Sequence, residues 1–280
     1  DPLFIFVFHM GMAGAALATV AGQVISAILV ICYLLHFKTM KIRWKSLIPS
    51  KKYCLAILSL GISPFCNQLA MMVVQIVMNN TLTYYGASSS YGSEIPLACA
   101  GIIAKVNMIF FAIVIGISQG MQPIISFNYG AANFKRVKET YKKALTAAIT
   151  ISTVSFLCFQ IFPRQIIGFF GSGSEEYFRF AENYFRIFLF FTFINGIQPI
   201  TANFFTSIGK AVKGVFLSLT RQIIFLLPLI LILPIFMGID GVMYSAPIAD
   251  FIAALLAILF VRKEFAHMKL MEKNKKEVQE

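Results

Sequence analysis

The sequence predicts an all-α polytopic membrane protein, and two observations carry that prediction. The first is composition: 58% of the 280 residues are hydrophobic and only 13% are charged, with a mean hydropathy of +0.78. Soluble domains carry about twice that charged fraction. The second is the grouping of apolar residues into long runs, because a helix needs about 20 of them to cross a bilayer. We therefore predict a bundle of spanning helices.

The apolar runs give the order of the helices. The chain begins at Asp1 with an apolar run of about ten residues, which is too short to span a membrane, so we expect it to begin inside a helix. Full runs follow at about residues 13–36, 53–85, 96–127, 144–162, 184–207, 215–236 and 241–261. The residues after Arg262 are charged and are predicted to form a cytoplasmic tail.

The basic residues predict the orientation. If the runs cross the membrane alternately, the loops after the second, fourth, sixth and eighth runs share one side and hold 20 of the 24 Lys and Arg residues. The opposite side holds Arg164, Arg179 and Arg186, and Lys105 is left inside a run. Cytoplasmic loops carry the excess of basic residues. We therefore predict that the C-terminus is cytoplasmic, and we ascribe the net charge of +12 to topology rather than to nucleic-acid binding.

An internal repeat divides the chain. A shift of 227 residues aligns Met10-Gly11 with Met237-Gly238 and Gly14 with Gly241. Chance matching of two apolar runs is the alternative, but the shared turn M-G-x-x-G argues against it. The repeat predicts that the helix at residues 13–36 ends one lobe and that the helix at residues 241–261 ends the next.

The stretch from Gly116 to Ala131, GISQGMQPIISFNYGA, carries glycines at GxxxG spacing, two glutamines and Pro123 inside an apolar run. Such residues are tolerated in a spanning helix where neighbouring helices or a wet cavity satisfy the backbone, so we expect this segment to face the interior. With SLTRQIIFLLPLILILPIFMGIDGVMYSAPIAD at residues 218–250 and the opening DPLFIFVFHMGMAGAALATVAGQ, it resembles the MATE family, the multidrug and toxic-compound extrusion transporters.

The resemblance implies a fold of twelve helices in two six-helix lobes. On that fold, residues 1–36 are the end of the N-terminal lobe (part of helix 5 and helix 6), residues 37–52 a basic cytoplasmic inter-lobe loop, residues 53–262 the six-helix C-terminal lobe, and residues 263–280 the charged tail. The resemblance then implies that the rest of the N-terminal lobe, which this sequence lacks, belongs to the same protein and is the partner of the C-terminal lobe.

The resemblance also implies a function: secondary active antiport, in which a small organic drug of cationic character is exported in exchange for Na⁺ or H⁺ by alternating access. It implies a multi-pass protein of the cytoplasmic (inner) cell membrane, with no resident cofactor beyond the coupling ion. A lipid-linked saccharide flippase of the same superfamily and a non-transporting membrane scaffold stay open as alternatives. No catalytic constellation, metal-ligand cluster or nucleotide motif is visible, so we do not expect an enzyme.

Polar side chains inside the runs mark candidate cavity positions, because they are costly in lipid. On the third run Gln68, Met72, Gln75 and Asn79 recur at helical spacing and form one stripe, although amides that join helices would give the same pattern. We further expect Lys105, Met108, Gln119 and Gln122 on the fourth run, and Asn195 and Gln198 on the sixth, to line the cavity. The two residues of the sixth run could instead satisfy the backbone around Pro199.

Two charged residues lie deep in the predicted helices. Lys105 and Asp250 are each about ten residues from the predicted outer end of their run, which is roughly 15 Å at 1.5 Å per residue. We therefore predict that they pair, with snorkelling of Lys105 as the alternative. The resemblance implies that an intramembrane carboxylate couples export to ion entry, and Asp250 is the candidate in this chain. The absence of acids from the third and sixth runs leaves open a coupling carboxylate elsewhere in the protein.

Overall fold

The computed structural model describes residues 10–35, 50–89, 91–170 and 174–277. The predicted partial helix before Met10 and nearly all of the predicted inter-lobe loop lie outside these residues. The described helices are α1 (Gly11–Leu35), α2 (Lys51–Ala87), α3 (Glu94–Gly130), α4 (Phe134–Ile161), α5 (Pro163–Phe170), α6 (Glu175–Phe188), α7 (Thr192–Asn195), α8 (Ile197–Ser207), α9 (Ala211–Leu219), a π-helical turn (Thr220–Leu226), α10 (Leu227–Met237) and α11 (Ile239–Glu277).

The predicted all-α membrane fold is confirmed. Among the described helices, five are long and apolar enough to cross a membrane. A sixth span results if α6 and the segment Thr192–Ser207, which meet at a bend of 43°, count as one broken helix. The chain divides into two compact units, Asp1–Leu60 and Gly61–Glu280. The domain boundaries given by the resemblance remain predictions.

The start of α6 follows from its sequence. Ser174 precedes the helix, and its Oγ accepts a hydrogen bond from the backbone N–H of Tyr177 at 3.2 Å. Glu175 and Glu176 occupy the first turn, where carboxylates stabilise the positive end of the helix dipole. The acidic residues and the capping serine therefore account for the position at which α6 begins.

Helix α4 begins ten residues before the predicted run. The basic residues Lys135, Arg136 and Lys142, predicted to lie in a loop, are in its first turns. Every third or fourth residue of this segment is apolar and buried, as Phe134 and Val137 show. A helix forms there because its apolar stripe packs against the bundle while the basic side chains point outward. A search for fully apolar runs does not detect such an amphipathic extension.

In the larger unit α3 packs against both α4 and α8. Ile125 and Val114 of α3 are fully buried, and so is Phe204 of α8. Tyr141 of α4 packs edge-to-face on Phe204, and its hydroxyl shares a hydrogen bond of 2.9 Å with the hydroxyl of Thr201. Buried polar groups are stable when they are paired in this way.

Each of the two turns aligned by the repeat contains a glycine with a positive φ. Gly11 has φ of +53° and Gly238 has φ of +61°, a region that favours glycine, and each lies at the start of a helix. Three residues further along the chain, Gly14 and Gly241 are both buried. The aligned positions of the repeat therefore share a positive φ at the first glycine and burial at the second.

The last helix continues well beyond Val261. It runs to Glu277, and Glu264 and Met268 are buried within the bundle. Glu264 forms ion pairs with Lys210 and Lys213, which flank the start of α9. The first residues of the predicted tail thus belong to the packed core of this unit.

Candidate functional site

A buried ion pair connects α11 to the π-helical turn. The carboxylate of Asp250 is 4% exposed, and its Oδ1 lies 2.6 Å from Nε of Arg221. Its Oδ2 accepts a hydrogen bond of 2.7 Å from Nδ2 of Asn195. Both carboxylate oxygens therefore have a partner, and the positive charge of Arg221 balances the negative charge. We refer to Asp250, Arg221 and Asn195 as the Asp250 cluster.

Two interruptions of regular helix bring these residues together. Arg221 lies in the π-helical turn, a rare geometry that is frequent at functional sites. Asn195 is the last residue of α7, next to the short interruption at Gly196 that separates α7 from α8. A Cβ on the following residue, Gly196, would lie 2.8 Å from Oγ of Ser152 and 3.2 Å from Cβ of Ala148. Glycine is required there because α4 approaches the break so closely.

The guanidinium group of Arg221 also contacts α3. Its central carbon lies 5.8 Å from the centroid of the Phe111 ring, within the range of a cation–π interaction. The side chain is 13% exposed, so it is largely removed from solvent. Because the ion pair is buried, loss of either partner would leave an uncompensated charge in an apolar bundle. A proton or cation that binds Asp250 would therefore share the carboxylate oxygens with Arg221 and Asn195 or displace one of them.

The predicted pair between Lys105 and Asp250 is wrong. Lys105 is exposed, and the carboxylate of Asp250 contacts Arg221 and Asn195 instead. The predicted pair rests on the equal depth of Lys105 and Asp250 along their helices. Depth does not give the direction in which a side chain leaves its helix. Ile103 and Val106 define the buried side of α3 at this level, and Lys105 lies on the other side.

Arg221 is the functional residue that sequence reasoning missed. The count of 20 basic residues in cytoplasmic loops includes Arg221, whereas Arg221 lies inside the helical stretch from Ala211 to Met237. The sequence does contain a sign of this position, because Arg221 is a charged residue within the apolar run predicted at residues 215–236. A second deep charge of opposite sign makes a better partner for Asp250 than a lysine on an exposed face.

The stripe on α2 lies on a face that does not pack into the larger unit. Gln68, Met72 and Gln75 are exposed and Asn79 is partly buried. The side-chain amide of Gln75 donates a hydrogen bond of 2.9 Å to Oδ1 of Asn79. On the opposite side of α2, Val74 is buried. Apolar neighbours such as Ile76 are exposed as well, so burial alone does not separate a cavity face from a lipid face, and cavity lining stays a prediction.

The predicted cavity residues of α3 are also largely unpacked. Met108 is 75% exposed, Gln119 is exposed, and Gln122 is partly buried. A Cβ added at Gly116 or Gly120 would have no atom within 4 Å, so neither glycine mediates a close helix contact among the described residues. The small residues of this face allow either close helix contact or open space. Among the described residues, the space next to Gly116 and Gly120 is open.

The opposite face of α3 forms a polar seam with α8. Nδ2 of Asn203 donates to Oγ of Ser118 at 2.6 Å, and Oγ of Ser126 donates to the carbonyl of Ser207 at 2.8 Å. These contacts join the two helices along about eight residues of α3. Two serines of the GISQGMQPIISF stretch therefore join α3 to α8.

The two predicted residues of the sixth run have different roles. Nε2 of Gln198 donates a hydrogen bond of 3.1 Å to the carbonyl of Leu217, close to the π-helical turn. The backbone group that it satisfies lies on α9 and not around Pro199, and cavity lining by Gln198 stays a prediction. Asn195 binds the carboxylate of Asp250 and belongs to the charged cluster.

The fold and the cluster define a polytopic helical membrane protein with charged residues paired inside its bundle. A model of the MatE family matches residues 67–232, more than half of the chain. The chain therefore belongs to the MATE family of transporters.

Relatives and solved structures agree with this assignment. The multidrug export protein MepA of Staphylococcus aureus (strain MSSA476) is 25% identical over 262 residues, which cover 93% of this chain and 56% of the relative. MepA of Staphylococcus haemolyticus (strain JCSC1435) is 26% identical over 262 residues, which again cover 93% of this chain and 56% of the relative. An outward-facing multidrug resistance MATE family transporter of the MOP superfamily superposes with a TM-score of 0.81 at 21% identity, over 96% of this chain and 59% of that one. The chain thus spans about half the length of the curated relatives that it matches.

Proposed function

We propose that the protein containing this chain is a secondary active antiporter that exports small organic cations, including drugs, in exchange for Na⁺ or H⁺. The observation that carries the proposal is the Asp250 cluster. A charged group inside a membrane bundle is costly and is usually retained for ion or substrate movement. The relatives named as multidrug export proteins support the substrate class.

In this proposal Asp250 couples ion entry to a change of conformation. Its carboxylate is bound by Arg221 and Asn195, so an incoming proton or Na⁺ competes with Arg221 for the same oxygens. Neutralised Asp250 no longer holds Arg221, and the π-helical turn and α11 are then free to separate. Because α7 also depends on the carboxylate through Asn195, one binding event acts on three elements. The coupling ion shifts the equilibrium only by as much as its affinity differs between the two states.

The substrate side of the proposal uses the exposed stripe on α2. Gln68, Gln75 and Asn79 offer amide groups, and Met72 offers a polarisable and flexible thioether. Such surfaces repack around ligands of different shape, as a multidrug site requires. In alternating access the lobe containing α2 to α11 rocks against its partner lobe around a central cavity.

The proposal includes location and orientation. The helices long enough to span belong to a multi-pass protein of the cell membrane, and the distribution of Lys and Arg supports a cytoplasmic C-terminus. At this end Glu264 is paired with Lys210 and Lys213.

The test is transport by the full-length protein in sealed vesicles. An imposed Na⁺ or H⁺ gradient should drive a fluorescent organic cation against its concentration gradient, and dissipating the gradient with an ionophore should stop it. Movement of a lipid-linked saccharide without organic-cation transport would replace the proposal with the flippase alternative. Absence of both activities from a folded protein would leave the scaffold alternative.

A further inference from the structure

A groove lies between the second half of α3 and the first half of α4. Its volume is about 390 Å³. Its floor is apolar and comes from α3, where it includes Ile117, Met121 and Ile124, while Arg136, Thr140 and Lys143 of α4 contribute to its wall. Ile124 is 47% exposed, which is unfavourable in water but ordinary for a side chain that contacts lipid.

Gly120 keeps the floor of the groove open. A Cβ at this position would have no atom within 4 Å, so no packing contact in the described structure requires glycine there. A larger side chain at residue 120 would instead project into the groove. The space above Gly120 is wide enough to hold part of a hydrocarbon chain.

The wall of the groove has cationic groups available for a ligand. Arg136 and Lys143 lie on one face of α4 with Thr140 between them, and no ion pair among the described residues includes either one. By contrast, Lys138 elsewhere on this helix lies 3.7 Å from Glu272. Glu139 also lines the groove and reduces its net charge, which leaves an excess of one positive charge.

We propose that this groove binds an anionic phospholipid at the basic end of the bundle. Arg136 and Lys143 contact the phosphate, the hydroxyl of Thr140 donates to it, and an acyl chain lies along the α3 floor over Gly120. Basic grooves between helices at a membrane surface are suited to acidic headgroups. This site is separate from the Asp250 cluster, because none of the residues that line the groove belongs to that cluster.

Two pairs of matched variants test the site in the purified full-length protein, with bound phosphatidylglycerol counted by native mass spectrometry. Arg136→Gln with Lys143→Gln should weaken binding at least about tenfold, since each basic side chain near an acidic headgroup contributes roughly a fivefold factor. Lys135→Gln with Lys142→Gln removes the same charge at the same spacing outside the groove and should leave binding unchanged. Gly120→Leu should block the groove, whereas Gly101→Leu, at another open position of α3, should not.

A labelling experiment examines the other possible occupant, a segment of the full-length protein. In a variant without the native cysteines, Thr140→Cys should react with a lipid-soluble maleimide, and phosphatidylglycerol should protect it while phosphatidylcholine should not. After bound lipid has been removed with detergent, an unreactive Thr140→Cys would mean that protein covers the groove and would overturn the proposal. Equal losses in the two double-glutamine variants, or equal binding of phosphatidylcholine, would also overturn it.

Discussion

Nε of Arg221 lies 2.6 Å from Oδ1 of Asp250, and this contact joins a π-helical turn to the last helix of the lobe. The pair is buried, and Asn195 occupies the second carboxylate oxygen. In a buried pair the attraction largely offsets the loss of hydration, so the pair itself adds little net stability. Separating its members is costly, and this makes the contact suitable as a switch.

The first prediction concerns the coupling between Arg221 and Asp250. Arg221→Met or Asp250→Asn alone leaves an uncompensated group and should lower the free energy of unfolding by about 3–5 kcal/mol. The double variant should recover most of that loss. Denaturant unfolding in detergent measures the unsubstituted full-length protein, the two single variants and the double variant, which together form a double-mutant cycle.

Lys105 provides the control for this cycle. It is exposed and does not contact Asp250, so Lys105→Met should add to Asp250→Asn within about 0.5 kcal/mol. Additive losses for Arg221 and Asp250, or strong coupling between Lys105 and Asp250, would contradict the described contacts.

The second prediction concerns Glu264, which is 2% exposed and paired with Lys210 and Lys213. Glu264→Gln should lower the free energy of unfolding by about 1.5–3 kcal/mol, the range for hydrogen bonds to charged groups. The loss is moderate because both lysines are partly exposed and can turn towards water. Glu272→Gln, in a more exposed pair with Lys138, should change it by less than about 1 kcal/mol. Equal effects of the two substitutions would show that burial of Glu264 is unimportant.

The third prediction concerns the close approach of α10 and α11. A Cβ at Gly241 would lie 2.5 Å from the carbonyl carbon of Leu233 and 2.6 Å from the backbone nitrogen of Pro234. Gly241→Ala should therefore destabilise the protein by about 1–3 kcal/mol or more, because backbone atoms must move. Gly116→Ala adds a Cβ in open space and should be neutral or slightly stabilising, since alanine favours helix more than glycine does. Thermal unfolding compares the two, and a neutral Gly241→Ala would contradict the packing.

The fourth prediction concerns the exposed stripe on α2. In a full-length variant without native cysteines, Gln68→Cys, Gln75→Cys and Asn79→Cys should react with a water-soluble thiol reagent in intact membranes. Val74→Cys should be protected by packing, because Val74 is 5% exposed. Val73 and Ile76 are themselves exposed in this chain, so protection of cysteines there would have to come from lipid. Labelling at Ile76 equal to that at Gln75 would argue against a polar cavity along the stripe.

Much of the fold was predictable because apolar runs and capping residues are local signals. The runs gave the helices, and Ser174 with Glu175 marked the start of α6. The early start of α4 was not predictable from apolar runs, since its first turns are amphipathic. The tight space at Gly196 comes from the close approach of Ser152 on another helix, which no local pattern contains.

The site was only partly predictable for a similar reason. Asp250 and Asn195 were identified because polar groups in apolar runs are costly, and both belong to the buried cluster. Their partner Arg221 depends on a π-helical turn, which changes the direction of the side chains that follow it. Lys105 matched Asp250 in depth but not in direction. Sequence spacing gives position along a helix well, and it gives contacts between helices poorly.

The central claim is that Asp250 couples ion entry to export, and gradient-driven transport by the double variant Arg221→Met with Asp250→Asn tests it most directly. This variant should remain folded, since both charges are removed together. The account predicts that in vesicles of the full-length protein it still binds the organic cation but no longer transports it in response to an imposed Na⁺ or H⁺ gradient. A transport rate that responds to the gradient as in the unsubstituted protein would contradict the account.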